Sequence, residues 1–408
     1  MMRGWIPPLP LGCGMASFGL SWIALFALAR TGQLGPSLPA LGWVHLVALA
    51  WITTVALAVL LHAIPGFLDV EWTGWGADAA RACTLVFAGA SLALAAGFWC
   101  RAIWLLEAAG TIVLGALLVY ASAIVRPIAS AMRGERAARA VARAFAGIVL
   151  LLVVAASLGV VFAYALGGRL SPAVLSGAPQ AHALLGIGGW LSLLVAGVSA
   201  RTMGPIAGVR SRLPALHIGG SSSLLAGTLV AAYGVATAST PIALAGSLLL
   251  AIGALLFAID VVDVLVRARV AHRPPQLLMA CAAGWAMTAA GLLVASALGA
   301  PLAEAAIYAA LIGWVGSAVV AHLHHIGVRV VLTSLRGDDD ETRPGSVLDG
   351  RLSWSAFGLY QLAALAGTIA LALDSPGLLE SAACAGGLAF LAMTANLAGV
   401  IHTQAVRA

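Results

Sequence analysis

The chain has 408 residues, 62% of them hydrophobic and 9% charged, with a formal net charge of +6. Ordinary soluble domains are about one quarter charged, so this sequence could not cover a water-facing surface with polar groups. That excludes a soluble globular protein and gives no expectation of a nucleic-acid partner; a polytopic membrane protein remains. Apolar runs long enough to cross a hydrocarbon core of roughly 30 Å recur along the whole length. Taken in chain order between proline and glycine breakers, they predict helices at 15–30, 41–63, 82–99, 102–124, 145–167, 180–200, 216–235, 240–266, 277–298, 305–333, 353–373 and 378–402.

The N-terminal stretch is read as an uncleaved first span, because prolines interrupt the place of a signal-peptide core. All twenty-one basic residues are arginine, which reflects base composition rather than function. With the N-terminus cytoplasmic, eighteen arginines fall on the cytoplasmic side, and three, Arg30, Arg101 and Arg169, on the other. That asymmetry supports twelve spans with both termini inside. The expected fold class is therefore an all-α polytopic membrane protein, a single transmembrane domain over 1–408, in a bacterial inner membrane and in contact with lipid. The acidic run from Asp338 to Glu341 reads as part of a solvated loop.

A weak internal echo runs through spans two, six and ten. Trp51, Trp190 and Trp314 are each followed eleven residues later by a polar residue, His62, Arg201 and His325 respectively. Recurrence every four helices suggests a pseudo-threefold arrangement of four-helix units, around 1–125, 145–266 and 277–402.

Cys13, Cys83, Cys100, Cys281 and Cys384 form no CxxC or CxxCH motif, which argues against covalent haem and a zinc knuckle. Histidine carries the chemistry instead. His272 lies in an Arg-rich loop, and His217 and His402 lie near span ends, where an amphipathic ring is comfortable. His45, His182, His322, His324 and His325 lie within spans two, six and ten, where a polar side chain is costly and faces a partner or cavity. The plain reading is interhelical hydrogen bonding, worth roughly 1 kcal/mol each; the alternative is ligation. On a helix, His322 and His324 are about 200° apart and address different sides, whereas His322 and His325 share a face. Neutral imidazole suits iron and copper, and haem iron accepts it axially. Asp260 and Asp263 beside Arg267 read as interfacial pairing, and Glu107 as a lone intramembrane acid, a weak candidate for proton relay.

Twelve spans with cytoplasmic termini, His45 in span two, His182 in span six and the His322–His324 pair in span ten resemble the haem–copper oxidase subunit I superfamily. His182-Ala183-Leu184 with Gly188-Gly189 and Arg201, and Trp72-Thr73-Gly74 after Pro65, are similar to the shorter NnrS-type membrane proteins linked with nitric oxide stress. The resemblance implies a low-spin haem held by His45 and one of His322 and His324, and an active-site haem held by the other. Two departures stand out. Gly186 occupies the place of the oxidase tyrosine, and span seven offers His217 at its inner end rather than a histidine pair at its outer end. The resemblance therefore implies no ordinary oxygen-reducing centre, while copper stays open beside haem. His62 and His325, equivalent in the repeat, form an alternative pair.

The expected function is that of a haem-binding membrane protein in electron transfer or in nitric oxide or oxygen handling, with respiratory or redox subunits as partners. Whether it is an enzyme stays open. Two other readings stand beside it: a twelve-helix small-molecule permease, and a cofactor-free structural subunit that keeps the fold without the ligands.

Overall fold

The structure is a computed structural model that describes residues 8–405, apart from 34, 36, 73, 135, 210, 271–272 and 337–343. The acidic run from Asp338 to Glu341 and His272 fall outside the described residues. The described residues form helices without strands, and twelve of the helices are long and apolar enough to cross a membrane. They are α1 (Leu9–Thr31), α2 (Leu38–Leu68), α3 (Trp75–Trp99), α4 (Ile103–Ala131), α5 (Arg139–Leu166) and α6 (Ala178–Gly204), followed by α7 (Pro214–Ala236), α8 (Thr240–Val266), α9 (Pro274–Ala297), α10 (Ala303–Thr333), α11 (Gly350–Ala372) and α12 (Pro376–Thr403).

Each predicted helix is present, and several run longer than their breakers suggested. The helix of α2 passes Pro65 and stops at Leu68, before Asp69 in the left-handed conformation (φ 53°). That of α4 continues through Pro127 to Ala131. In a bilayer the helix is the cheapest state for backbone polar groups, so a proline near a helix end costs a bond without stopping the run. The start of α3 moves back to Trp75, where Arg81 reaches Asp78 at 2.8 Å, so this polar first turn is helical.

Three helices stand inside. In the apolar windows of α10, α2 and α6, 83%, 67% and 56% of residues are buried, against 33–50% in the other nine. The helices around them pack in sequence order: α3 on α4, α4 on α5, α7 on α8, α8 on α9, α11 on α12, and α12 back on α1. The pair α7–α8 is the tightest. A Cβ on Gly246 would overlap the backbone of Ala231, and one on Gly227 would sit 2.6 Å from Leu250 N. Small residues let backbones touch, which supplies the dispersion contact that drives helix association in lipid.

The internal echo is geometric as well as sequential. Each inner helix contains an eight-residue π-helical stretch, Leu46–Thr53, Leu185–Ser192 and Ala309–Gly316, with its tryptophan in sixth place. The hydroxyls of Thr53 and Ser192 donate to carbonyls five residues back, Ala48 O at 2.7 Å and Ile187 O at 2.8 Å. Those same hydroxyls accept from the next helix. Trp190 Nε1 donates to Thr53 Oγ1, and Trp314 Nε1 to Ser192 Oγ, both at 3.0 Å. A third link would run from Trp51 to residue 316, which is glycine. The phenol oxygen of Tyr360 fills that space and donates instead to Ile312 O at 2.8 Å. Trp51, fully buried, stacks on Phe18 with centroids 4.0 Å apart, and its N–H has no hydrogen-bond partner. Two closed links and one open link thus join the three inner helices.

Candidate functional site

Two features lie along the inner helices. The first is a pair of imidazoles. His45, in the first turns of α2, and His182, in the first turns of α6, face each other with ring centroids 6.2 Å apart and planes within 17° of parallel. Phe98 of α3 stacks on His45 at 4.9 Å, and Phe162 of α5 meets His182 edge-on at 5.7 Å. Gly159 of α5 makes room: a Cβ there would lie 3.2 Å from His182 Cε1.

The hydrogen bonds fix the chemistry of this pair. His45 Nδ1 donates to Leu41 O at 2.8 Å, and His182 Nδ1 donates to Ala155 O at 2.9 Å. A carbonyl can only accept, so in each neutral ring the proton sits on Nδ1 and the lone pair on Nε2. Such an Nδ1 anchor orients a histidine to bind metal through its other nitrogen. The two rings are stacked, and together they offer two neutral imidazole nitrogens from two helices, a donor set of the kind that suits iron, haem iron included.

The second feature is a small, partly open cleft between α2, α6 and α10, toward the arginine-rich ends of these helices. His322 is the one polar residue on its wall, among aliphatic side chains such as Val59 and Val198. His322 Nδ1 bonds Ala318 O at 2.6 Å, and its Nε2 bonds Thr202 Oγ1 of α6 at 2.8 Å. Both ring nitrogens are thus already engaged.

The set implied by the resemblance, His45 with His322 or His324, is not brought together. The cleft residues of α2 beside His322 are Val55 and Val59, ten and fourteen positions past His45. At 1.5 Å per residue that is roughly 15–20 Å along the helix. Span ten runs parallel to span two, so its histidines meet the other end of α2, and His182 takes the place beside His45. His324 is nearly fully buried, and its Nδ1 bonds Val320 O at 2.8 Å. His325 is half-buried, and His62 is exposed near the end of α2. Among the described residues no three of His, Cys, Asp and Glu form a cluster suited to an ion.

Other polar groups find partners. Glu107 is not alone: near the start of α4, its Oε1 accepts from Nε of Arg169, which lies just past the end of α5, at 2.9 Å. Asp263 pairs with Arg267, as expected at an interface. Asp260 instead accepts from Ser211 at 2.5 Å and from His217 Nδ1 at 3.2 Å. Nothing in the sequence marks Thr202 as a partner of His322. The tryptophan links went unseen, although the recurrence of Ser or Thr two residues after Trp51 and Trp190 carried the signal.

No protein-family model matches the chain, and no curated protein matches it.

Proposed function

We propose that this membrane protein holds a redox metal, haem iron by preference, at the His45–His182 pair, and serves electron transfer or the handling of nitric oxide or oxygen. The observation that carries the reading is the pair itself: two neutral, Nδ1-anchored imidazoles from two inner helices, 6.2 Å apart and nearly parallel. Haem would bring a one-electron redox centre. His45 and His182 would supply the nitrogen ligands, and Phe98 and Phe162 a dry wall that tunes potential through burial. The resemblance to oxidase-like and NnrS-like proteins points to the same cofactor, with His182 rather than a span-ten histidine as the partner of His45.

The test is an oxidised and a reduced absorption spectrum of protein purified after expression with ample haem, together with metal analysis. A Soret band is expected in the wild type. It should be lost in both His45→Ala and His182→Ala and kept in His322→Ala. A colourless wild type with no stoichiometric metal would sink the reading and favour the structural-subunit alternative. A band that survives both His45 and His182 substitutions would move the site elsewhere.

A further inference from the structure

The joined ends of α4 and α5 hold an excess of positive charge. Between residues 126 and 143 the sequence places Arg126, Arg133, Arg136, Arg139 and Arg143 against one acid, Glu135. Other arginines near span ends reach a carboxylate: Arg30 meets Glu380, Arg81 meets Asp78, Arg169 meets Glu107 and Arg267 meets Asp263. Arg126, Arg133, Arg139 and Arg143 are exposed, and among the described residues they make no ion pair.

Helical spacing makes two of these charges the head of a stripe. Arg139, Arg143, Gly147, Leu150 and Val154 follow at intervals of four, four, three and four, so they share one face of α5, and all five are exposed. Leu150 is 61% exposed and Val154 39%, as side chains turned to lipid are. A Cβ on Gly147 would meet nothing within 4 Å, which leaves a notch between the guanidinium and aliphatic parts. The helix before it adds a third charge. α4 and α5 run antiparallel, with Gly110 beside Val160 and the Thr111 hydroxyl 3.4 Å from that of Tyr164. Continued along both helices, that register brings Arg126 level with the stretch between Arg143 and Leu150.

A cationic head above an aliphatic body complements a phospholipid. Guanidinium groups pair with phosphate oxygens in a planar fork, and exposed Leu and Val accept acyl chains. A choline head carries its own cation, which three arginines repel, so a head of net negative charge fits better. Arg139, in the first turn of α5, also opposes the positive end of the helix dipole, a repulsion that a bound anion relieves. A soluble anion would leave the aliphatic part of the stripe unused.

We propose that this face binds one anionic phospholipid, its phosphate at Arg139 and Arg143 with Arg126 adding charge, and its chains along Leu150 and Val154. The site does not depend on the metal reading above.

Native mass spectrometry of the full chain in detergent, titrated with dioleoyl phosphatidylglycerol or dioleoyl phosphatidylcholine, tests the proposal. An arginine near a membrane surface is worth about fivefold in affinity. We therefore expect the first phosphatidylglycerol to bind at least about tenfold tighter than phosphatidylcholine. Arg139→Gln with Arg143→Gln should reduce that preference to about twofold or less, and Arg139→Lys with Arg143→Lys should keep most of it. Arg351→Gln, at an exposed arginine of α11, should leave it unchanged. Equal binding of the two lipids by the wild type overturns the proposal. An equal loss in Arg351→Gln does so too, since it would mark a diffuse charge effect. Displacement of the lipid by inorganic phosphate would overturn the assignment to a lipid. If the paired glutamine variant fails to fold, Arg143→Gln alone decides: an unchanged preference rejects the site.

Discussion

At the scale of single residues, the most informative contact is the bond from Trp190 to Thr53, because both groups are fully or nearly fully buried and belong to different inner helices. Interhelical hydrogen bonds in membranes contribute about 0.6–1.7 kcal/mol. A double-mutant cycle of Thr53→Val and Trp190→Phe, followed by thermal unfolding in detergent, should show a coupling of about 1 kcal/mol. Additivity within error would mean that the link holds nothing. Part of this chemistry was readable beforehand: the intramembrane histidines stood out because an imidazole in lipid needs a reason. Their pairing did not, because His45 and His182 are 137 positions apart and only helix packing sets which histidine meets which. Thr202 escaped notice for a related cause. A helical threonine usually bonds its own preceding carbonyl, as this one also does, so nothing local marks it as the partner of His322.

At the scale of elements, apolar length placed every helix, whereas the π-helical stretches were invisible. A π-helical stretch is rare and unfavourable by itself, so its position depends on neighbours and on hydroxyls such as Thr53 and Ser192 that bond carbonyls five residues back. The glycines divide in the same way. Gly246 meets the backbone of Ala231 in α7, while Gly284 of α9 faces open space. Gly246→Ala should therefore destabilise by about 1–3 kcal/mol through overpacking. Gly284→Ala should be neutral or stabilise by up to about 1 kcal/mol, as removal of a helical glycine does. Equal melting temperatures for the two variants would contradict the tight α7–α8 contact. The sequence shows both residues as glycine in an apolar run and cannot separate them.

At the scale of the whole molecule, an even number of spans leads to the expectation that the first and last helices begin and end on one side, and the arginine asymmetry to the expectation that this side is the cytoplasm. Cys100, exposed between α3 and α4, is a built-in reporter of the opposite side. With the other four cysteines replaced by serine, a membrane-impermeant maleimide should label Cys100 in intact cells. Labelling only after the cells are opened would reverse the orientation. The three inner helices run parallel, as the fourfold spacing of Trp51, Trp190 and Trp314 requires. Their shared direction separates the two sites, with the His45–His182 pair near one end and the His322 cleft toward the other.

The sequence by itself determined that the chain lies in a membrane, how many times it crosses and which three helices share a pattern. These follow from solvent transfer, charge asymmetry and spacing, all local or additive along the chain. Only the tertiary structure decided that α2, α6 and α10 form the centre, that Gly316 leaves one of three links open, and that His45 meets His182. Those outcomes depend on how helices fit side by side in lipid, where no hydrophobic gradient selects the neighbour and close packing and a few hydrogen bonds do.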